Sequence, residues 1–315
     1  GSPGDLGLMR VTVVGDSALD VTVRPAHAPR PGGDVPARIG LSPGGQGANV
    51  AVRLARAGVI VTLATAVADD AAGRILAAAL ERDGVIMRQL PAERSGVVVA
   101  LLDAGAERAM LSDRVTLTPD EVAAACEGAN WVHCSAYPLA DDASGDELAR
   151  VIGSLPASTR ISAGGGSLPP DAARAERVRG RLASAGARLL IFGRDEAAAL
   201  LDAPLPSLAA AADAMASAFP GVIAIVTGGA AGSTAAGPGF ALSVAADESA
   251  TPRVDATGAG DAYAAAVIAA LLPVDWPPDV PILRAGMEAG SRLGGLVSRV
   301  VGAQARVDGE PRAAT

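Results

Sequence analysis

Apolar positions along this chain fall into short β-branched runs that alternate with longer segments of helical spacing. Arg10–Val14 is a β-branched run ending at Gly15-Asp16, and residues 47–57 predict a helix stopped by Gly58. A strand over 59–66 follows, then a helix over 71–83 with Gly84 just past its end. Trp131–Ser135 reads as a buried strand. The alternation resumes with a strand over 188–192 leading to a helix from Asp195, then a strand over 221–226. A glycine turn opens a helix at Asp261, and a last helix covers about 282–301. Such a pattern predicts an α/β fold, a mostly parallel sheet covered on both faces. Two segments break the rhythm. Residues 21–41 and 97–112 are β-rich, carry Gly and Pro turns and enclose no helix, so they predict a small, mostly antiparallel sheet projecting as a lid over a cleft. Residues 203–207 and 272–281 read as surface loops, residues 1–8 as an added or disordered leader, and 9–315 as one domain.

Composition narrows the function classes. Half of the 315 residues are hydrophobic, enough for a sizeable core. A net charge of −8 leaves no basic stripe for nucleic acid, and no apolar run reaches the length of a membrane span. With no signal-peptide pattern at its start, the chain is expected to be cytoplasmic. Cys126 and Cys134 are too few for a disulfide framework or a zinc site and read as structural thiols. All 26 basic residues are arginine. A Walker A loop needs Gly-Lys-Ser/Thr, so any nucleotide must be held another way. Asparagine occurs only at Asn49 and Asn130. Asn130 precedes a strand, where a turn residue is expected; Asn49 has no such reason to be there.

Two glycine motifs carry the chemistry. Asp255-Ala256-Thr257-Gly258-Ala259-Gly260-Asp261 runs directly into an alanine-rich apolar helix. Free amides at a helix N-terminus favour phosphate oxygens, and Gly258 and Gly260 allow close approach of a ligand. Asp261 has two readings: a favourable first-turn charge or cap, or a base that takes a proton from an attacking hydroxyl. The second motif, Pro43-Gly44-Gly45-Gln46-Gly47-Ala48-Asn49, opens another helix and offers the Asn49 amide to sugar hydroxyls. Asp16 and Asp20 follow the first strand, in the crevice where open α/β sheets bind ligands. Asp20 is the better ligand for neighbouring hydroxyls, and either acid could instead cap a turn.

Together these motifs resemble the two signatures of the ribokinase-like (PfkB) family of sugar and nucleoside kinases. Residues Gly44 to Asn49 are similar to its N-terminal signature and Asp255 to Asp261 to its C-terminal one. Val226-Thr227-Gly228-Gly229-Ala230-Ala231-Gly232 resembles the strand and turn lying against the nucleotide, and Gly302-Ala303-Gln304 a late loop near the adenine and cation sites. The likeness runs over about 9–306, with its parts in the family's order.

The resemblance implies a three-layer α/β/α sandwich with a small β-sheet lid, and ATP-dependent, in-line transfer of the γ-phosphate to a primary hydroxyl of a sugar. A nucleoside kinase, or a catalytically weak sugar-binding sensor, is the alternative on the same fold. Asp261 would be the general base. The amides of Ala259, Gly260 and Asp261, on the turn opened by Gly258, would form the anion hole. Asp20, Gly44, Gly45 and Asn49 would bind the sugar, and Thr227, Gly229, Gly232 and Gly302 the nucleotide. Magnesium would arrive with ATP and be held through water by Glu196. Asp255 and the Thr257 backbone would border a potassium-type site. The lid would exclude water, and the family leaves dimerisation through it open.

This chain also departs from the family pattern. The magnesium-associated Asn-x-x-Glu is Gly193-Arg194-Asp195-Glu196 here. The mid-chain strand that often ends in an aspartate reads Arg160-Ile161-Ser162-Ala163-Gly164-Gly165-Gly166, without an acid. Where ribokinase carries a sugar-binding glutamate, this chain has Ser135-Ala136-Tyr137. His27 and His133 draw no role from either motif and read as a loop and a strand residue; Arg108 and Arg114, near the lid, read as solvated charges, with contact to an anionic substrate as the other reading. A dinucleotide enzyme would need Gly-x-Gly-x-x-Gly after the first strand, which Gly15-Asp16-Ser17-Ala18 does not supply.

Overall fold

A computed structural model describes residues 9–102, 108–166, 171–247, 253–308 and 310. The leader 1–8, lid residues 103–107 and the side chain of Arg108 lie outside the described residues. In chain order the strands are β1 (Arg10–Val14), β2 (Ala18–Pro25), β3 (Ala37–Gly44), β4 (Ile60–Ala66), β5 (Ile86–Leu90), β6 (Gly96–Leu102), β7 (Arg108–Asp113), β8 (Trp131–Ser135), β9 (Arg160–Gly164), β10 (Leu189–Gly193), β11 (Ile223–Thr227), β12 (Ser233–Gly237) and β13 (Phe240–Val244). The larger sheet runs β13-β12-β11-β10-β9-β8-β1-β4-β5. Every neighbouring pair from β5 through β11 is parallel. The β12–β13 hairpin, which the sequence pattern did not separate from its surroundings, adds antiparallel pairing at one edge.

Each face of this sheet has its own core. Side chains alternate along a strand, so β8 sends Val132 and Cys134 to one side, under helices Gly145–Gly153, Ala172–Ser184 and Leu208–Ala218. Trp131 goes to the other side, where it joins helices Gln46–Arg56, Ala259–Leu271 and Val280–Val297. The result is the α/β/α layering expected. Cys126 and Cys134 are buried free thiols, and burial raises the pKa of both. Most helix bounds shift by one or two residues from the reading, among them a helix that begins at Ala259, not Asp261; the largest shift is that the last helix stops at Val297, short of 301. Among the described residues no helix is long and apolar enough to cross a membrane.

The lid is a four-stranded sheet in the order β3-β2-β6-β7, antiparallel except where β2 and β6 run parallel. Its strands reach beyond the expected bounds of 21–41 and 97–112, because β2 already pairs at Ala18 and β3 continues to Gly44. The apolar alternation fails there at Asp20, Pro43 and Gly44, while the backbone ladder does not. Asp20 and Gly44 therefore sit at the lid's root. One lid face carries the cross-strand row Leu41, Val21, Val99 and Leu111, with Ile39, Val23 and Leu101 in the next row. The opposite face carries Asp20 beside Ser42 and Val98, with Ser112 next in line.

Candidate active site

Gly258 opens the Ala259–Leu271 helix from the left-handed region, at φ 77°. A Cβ at that position would also meet Ala303 Cβ at 2.6 Å, so only glycine makes this turn against that loop. Asp261 is then the third residue of the helix, among first-turn amides that lack intrahelical partners. Of the three amides expected to form an anion hole, that of Ala259 donates to the Ala256 carbonyl at 3.2 Å. The amides of Gly260 and Asp261 remain for a ligand, with open space beyond Gly260. The Asp261 carboxylate does not cap its own helix; its Oδ2 accepts from Asn49 Nδ2 at 2.8 Å. Burial pushes this carboxyl up to about 7, Asp16 and Glu196 push the same way, and the Asn49 and Gln46 donors oppose them.

Asn49 is buried on the first turn of helix Gln46–Arg56, and both ends of its amide are used. While Nδ2 donates to Asp261, Oδ1 accepts from Gln304 Nε2 at 3.1 Å. When ionised, Asp261 only accepts, which fixes the amide's orientation in that state. Any sugar contact must therefore share Asn49 with the acid. Gln304, which the sequence placed only in a loop near the nucleotide, completes this chain of bonds.

The paired glycines serve the protein before any ligand. A Cβ on Gly44 would fall on the Asp20 carboxylate, and one on Gly45, at φ 95°, would meet Ser17 Cα at 2.6 Å. Their absence lets the 16–20 turn lie against the helix start. Burial pushes Asp20 up to about 6, with Arg114 opposing and Asp16 and Asp255 adding. Asp16 accepts the Gly47 amide at 3.3 Å and forms an ion pair with Arg114. Arg114 lies 3.8 Å over the Tyr137 ring, so it is no solvated charge. Asp16, Arg114 and Tyr137, with Thr116 and Arg174, line a cavity of about 520 Å³, whose lining does not include Asp20, Gly44, Gly45 or Asn49.

Thr227, Gly229 and Gly232 line a second cavity together with Ala259 and Gly260. Gly302 does not line it; its amide donates to Asp255 Oδ2 at 3.1 Å. Arg253, Ser291 and Gly294 were missed. For Ser291 and Gly294 the signal was the small residues of the last helix: a Cβ on Gly290 would meet the Tyr263 ring at 2.9 Å, so helix Val280–Val297 packs closely enough to shape this wall; Arg253 had none.

An inner cavity of about 160 Å³ joins Asp261, Glu196, Gln46 and His133, and shares Thr227 and Gly260 with the nucleotide cavity. Glu196 Oε2 accepts the Gly193 amide at 2.7 Å, and burial raises the Glu196 pKa. Asp255 Oδ1 accepts the Thr257 amide at 3.0 Å and hydroxyl at 2.6 Å. Among the described residues no group of three His, Cys, Asp or Glu is placed to hold a metal ion by itself.

The model of the pfkB family carbohydrate kinase matches residues 9–307. No curated protein matches the sequence. Among solved structures, a ribokinase from Arabidopsis thaliana complexed with ribose and ATP is 21% identical, with a TM-score of 0.76 over 94% of each chain. An uncharacterized sugar kinase from Pyrococcus horikoshii in complex with ATP is 22% identical, with a TM-score of 0.74 over 96% of this chain and 95% of that one. Ribokinase from Thermotoga maritima is 19% identical, with a TM-score of 0.74 over 94% and 95%. These likenesses agree with the two-sheet α/β architecture described above.

Proposed function

The chain belongs to the pfkB family of carbohydrate kinases, and from that premise we propose that it moves the γ-phosphate of ATP to a primary hydroxyl of a sugar, with Asp261 as general base. The observation that carries this reading is Asp261 itself. Its carboxyl is raised to about 7, near the working range of a base, and it stands beside two first-turn amides that have no partner among the described residues, where the inner and nucleotide cavities meet. The hydroxyl proton passes to an Asp261 oxygen as the hydroxyl oxygen attacks the γ-phosphorus. The bond from that phosphorus to the β-phosphate bridging oxygen breaks, and ADP leaves. The amides of Gly260 and Asp261 hold the charge on the moving group. Asp20 receives sugar hydroxyls at the root of the lid, and Asn49 holds the base. That structures of similar fold were solved with ATP, one of them with ribose as well, supports the choice of phosphoryl donor and acceptor class.

The acids present fit magnesium only as a partner of the nucleotide. One oxygen of Glu196 is used by the Gly193 amide and the carboxylate lines the inner cavity, which suits a water-mediated hold on an ion that keeps most of its waters. When bound, magnesium neutralises phosphate charge. Asp255 accepts the Thr257 and Gly302 donors, and a carboxylate with about four acceptor sites keeps capacity to border a monovalent cation together with the Thr257 backbone. We further propose that two chains pair through the apolar lid face.

The deciding experiment is ATP turnover with magnesium and potassium over a panel of pentoses, hexoses and nucleosides, with Asp261→Asn as control. Sugar-dependent ADP release that the variant lacks is expected. Preference for nucleosides would move the substrate class, and sugar binding without turnover would make the protein a sensor.

A further inference from the structure

Neither glycine motif gives His133 a role, yet its surroundings fix its chemistry. The sheet register sets His133 on β8 opposite Ser162 on β9, with Trp131 on the same face of β8. Trp131 Nε1–H can only donate, and it donates to Ser162 Oγ at 2.7 Å. Ser162 has one hydroxyl hydrogen and is fully buried; His133 Nδ1 lies 2.9 Å from its oxygen. If Nδ1 carried a proton, that hydroxyl hydrogen would be buried without an acceptor among the described residues. Ser162 therefore donates to Nδ1, and the ring proton sits on Nε2. Burial pushes His133 down to about 4, so the ring stays neutral near pH 7.

This ring lines the inner cavity that holds Asp261 and Glu196 and meets the nucleotide cavity at Thr227 and Gly260. A group that accepts hydrogen bonds and enters past Gly260 meets a neutral donor of fixed direction on one wall. The neighbouring segment 162–166 carries no acid to repel it. We propose that His133 is a phosphate-contacting residue, its Nε2–H donating to an oxygen of the transferring phosphoryl group opposite the amides of Gly260 and Asp261. The proposal rests on the kinase reading above and adds a donor to it.

With only two histidines in the chain, ¹⁵N-histidine labelling tests this directly. The expected spectrum shows His133 protonated at Nε2 and not at Nδ1 from about pH 5.5 to about pH 8.5. Saturation with magnesium and the β,γ-imido analogue of ATP should shift Nε2 and its proton, while a non-transferable sugar analogue alone should not. An Nδ1–H tautomer, or an Nε2 signal unmoved under nucleotide saturation proved by calorimetry, overturns the proposal. Absence of any nucleotide binding in that calorimetry overturns the kinase reading instead. In turnover, His133→Phe should lower kcat about 100-fold with the sugar KM held, the size seen when one such donor is removed. His133→Gln, whose amide can donate from a similar place, should recover part of that loss. Wild-type kcat in a folded His133→Phe protein also sinks the idea, and if that variant does not fold, the wild-type spectrum decides.

Discussion

At the scale of single residues, Asp261 carries two predictions with opposite pH signatures. As a base it must be ionised, so kcat/KM should rise with pH through about 7 and then level, and Asp261→Asn should abolish transfer while sparing ligand binding. A flat profile from pH 5 to 8, or near-normal turnover in the variant, removes the assignment. Stability should run the other way. A carboxyl raised in the folded state binds its proton more tightly there than in the unfolded chain, so its contribution is full below about pH 4 and lost as pH rises through about 7. Asp261→Asn should therefore melt above wild type at pH 8, with the difference vanishing near pH 4. Equal Tm values at pH 8 would show that the buried charge is not destabilising. Asn49→Ala removes a donor that favours ionised Asp261, so the rise in kcat/KM should move to higher pH; a change confined to the sugar KM would return Asn49 to a pure substrate role. The acid at the glycine turn was legible because helix starts and glycines are local signals. Its bond to Asn49 spans 212 positions, and the Arg114–Asp16 pair 98, so neither had any local trace.

At the scale of elements, helix Gln46–Arg56 was readable nearly to the residue from its apolar spacing and Gly58, yet its polar positions mislead. Arg53 is 1% exposed. Its Nη2 donates to the carbonyls of Ala303 at 2.6 Å and Ala305 at 2.9 Å, and its Nη1 pairs with Glu310 at 2.6 Å. Arg56 adds a bond to the Gln304 carbonyl at 2.8 Å and a buried pair with Asp83 at 3.0 Å. A polarity pattern cannot tell such arginines from solvated ones, because it does not see the partners that make burial tolerable. The two guanidinium groups clamp the loop whose Gln304 reaches back to Asn49, so this helix supports the Asn49–Asp261 bond from both directions. Arg53→Met should cost about 3–5 kcal/mol in urea unfolding, since Glu310 then keeps only part of its compensation. Arg53→Met with Glu310→Gln should recover part of that loss. If the double variant is no more stable than the single one, the clamp works through the loop carbonyls and not through the ion pair.

At the scale of the whole molecule, the alternation of strands and helices carried the parallel sheet, and with it the location of the site at the carboxyl ends of β1, β8, β10 and β11, where Asp16, Ser135, Gly193 and Thr227 lie. Lid bounds were less legible, since pairing at the lid's root continues through residues with no strand-like pattern. The two lid faces then separate function. Asp20 and Ser112 lie on the face toward the site, while Ile39, Leu41 and Leu111 on the other face are 62, 61 and 60% exposed. An apolar patch on both edge strands of a projecting sheet is a liability for a lone chain and suits burial against an identical copy. We expect sedimentation velocity to give a dimer, and Leu41→Glu with Leu111→Glu to give a folded monomer. Because Asp20 stands on the sheet of the proposed contact and is proposed to hold the sugar, loss of the partner should also raise the sugar KM more than it lowers kcat. A wild-type protein that sediments as a monomer at assay concentrations, with the same KM as the double variant, would leave the lid to close over the sugar without a second chain.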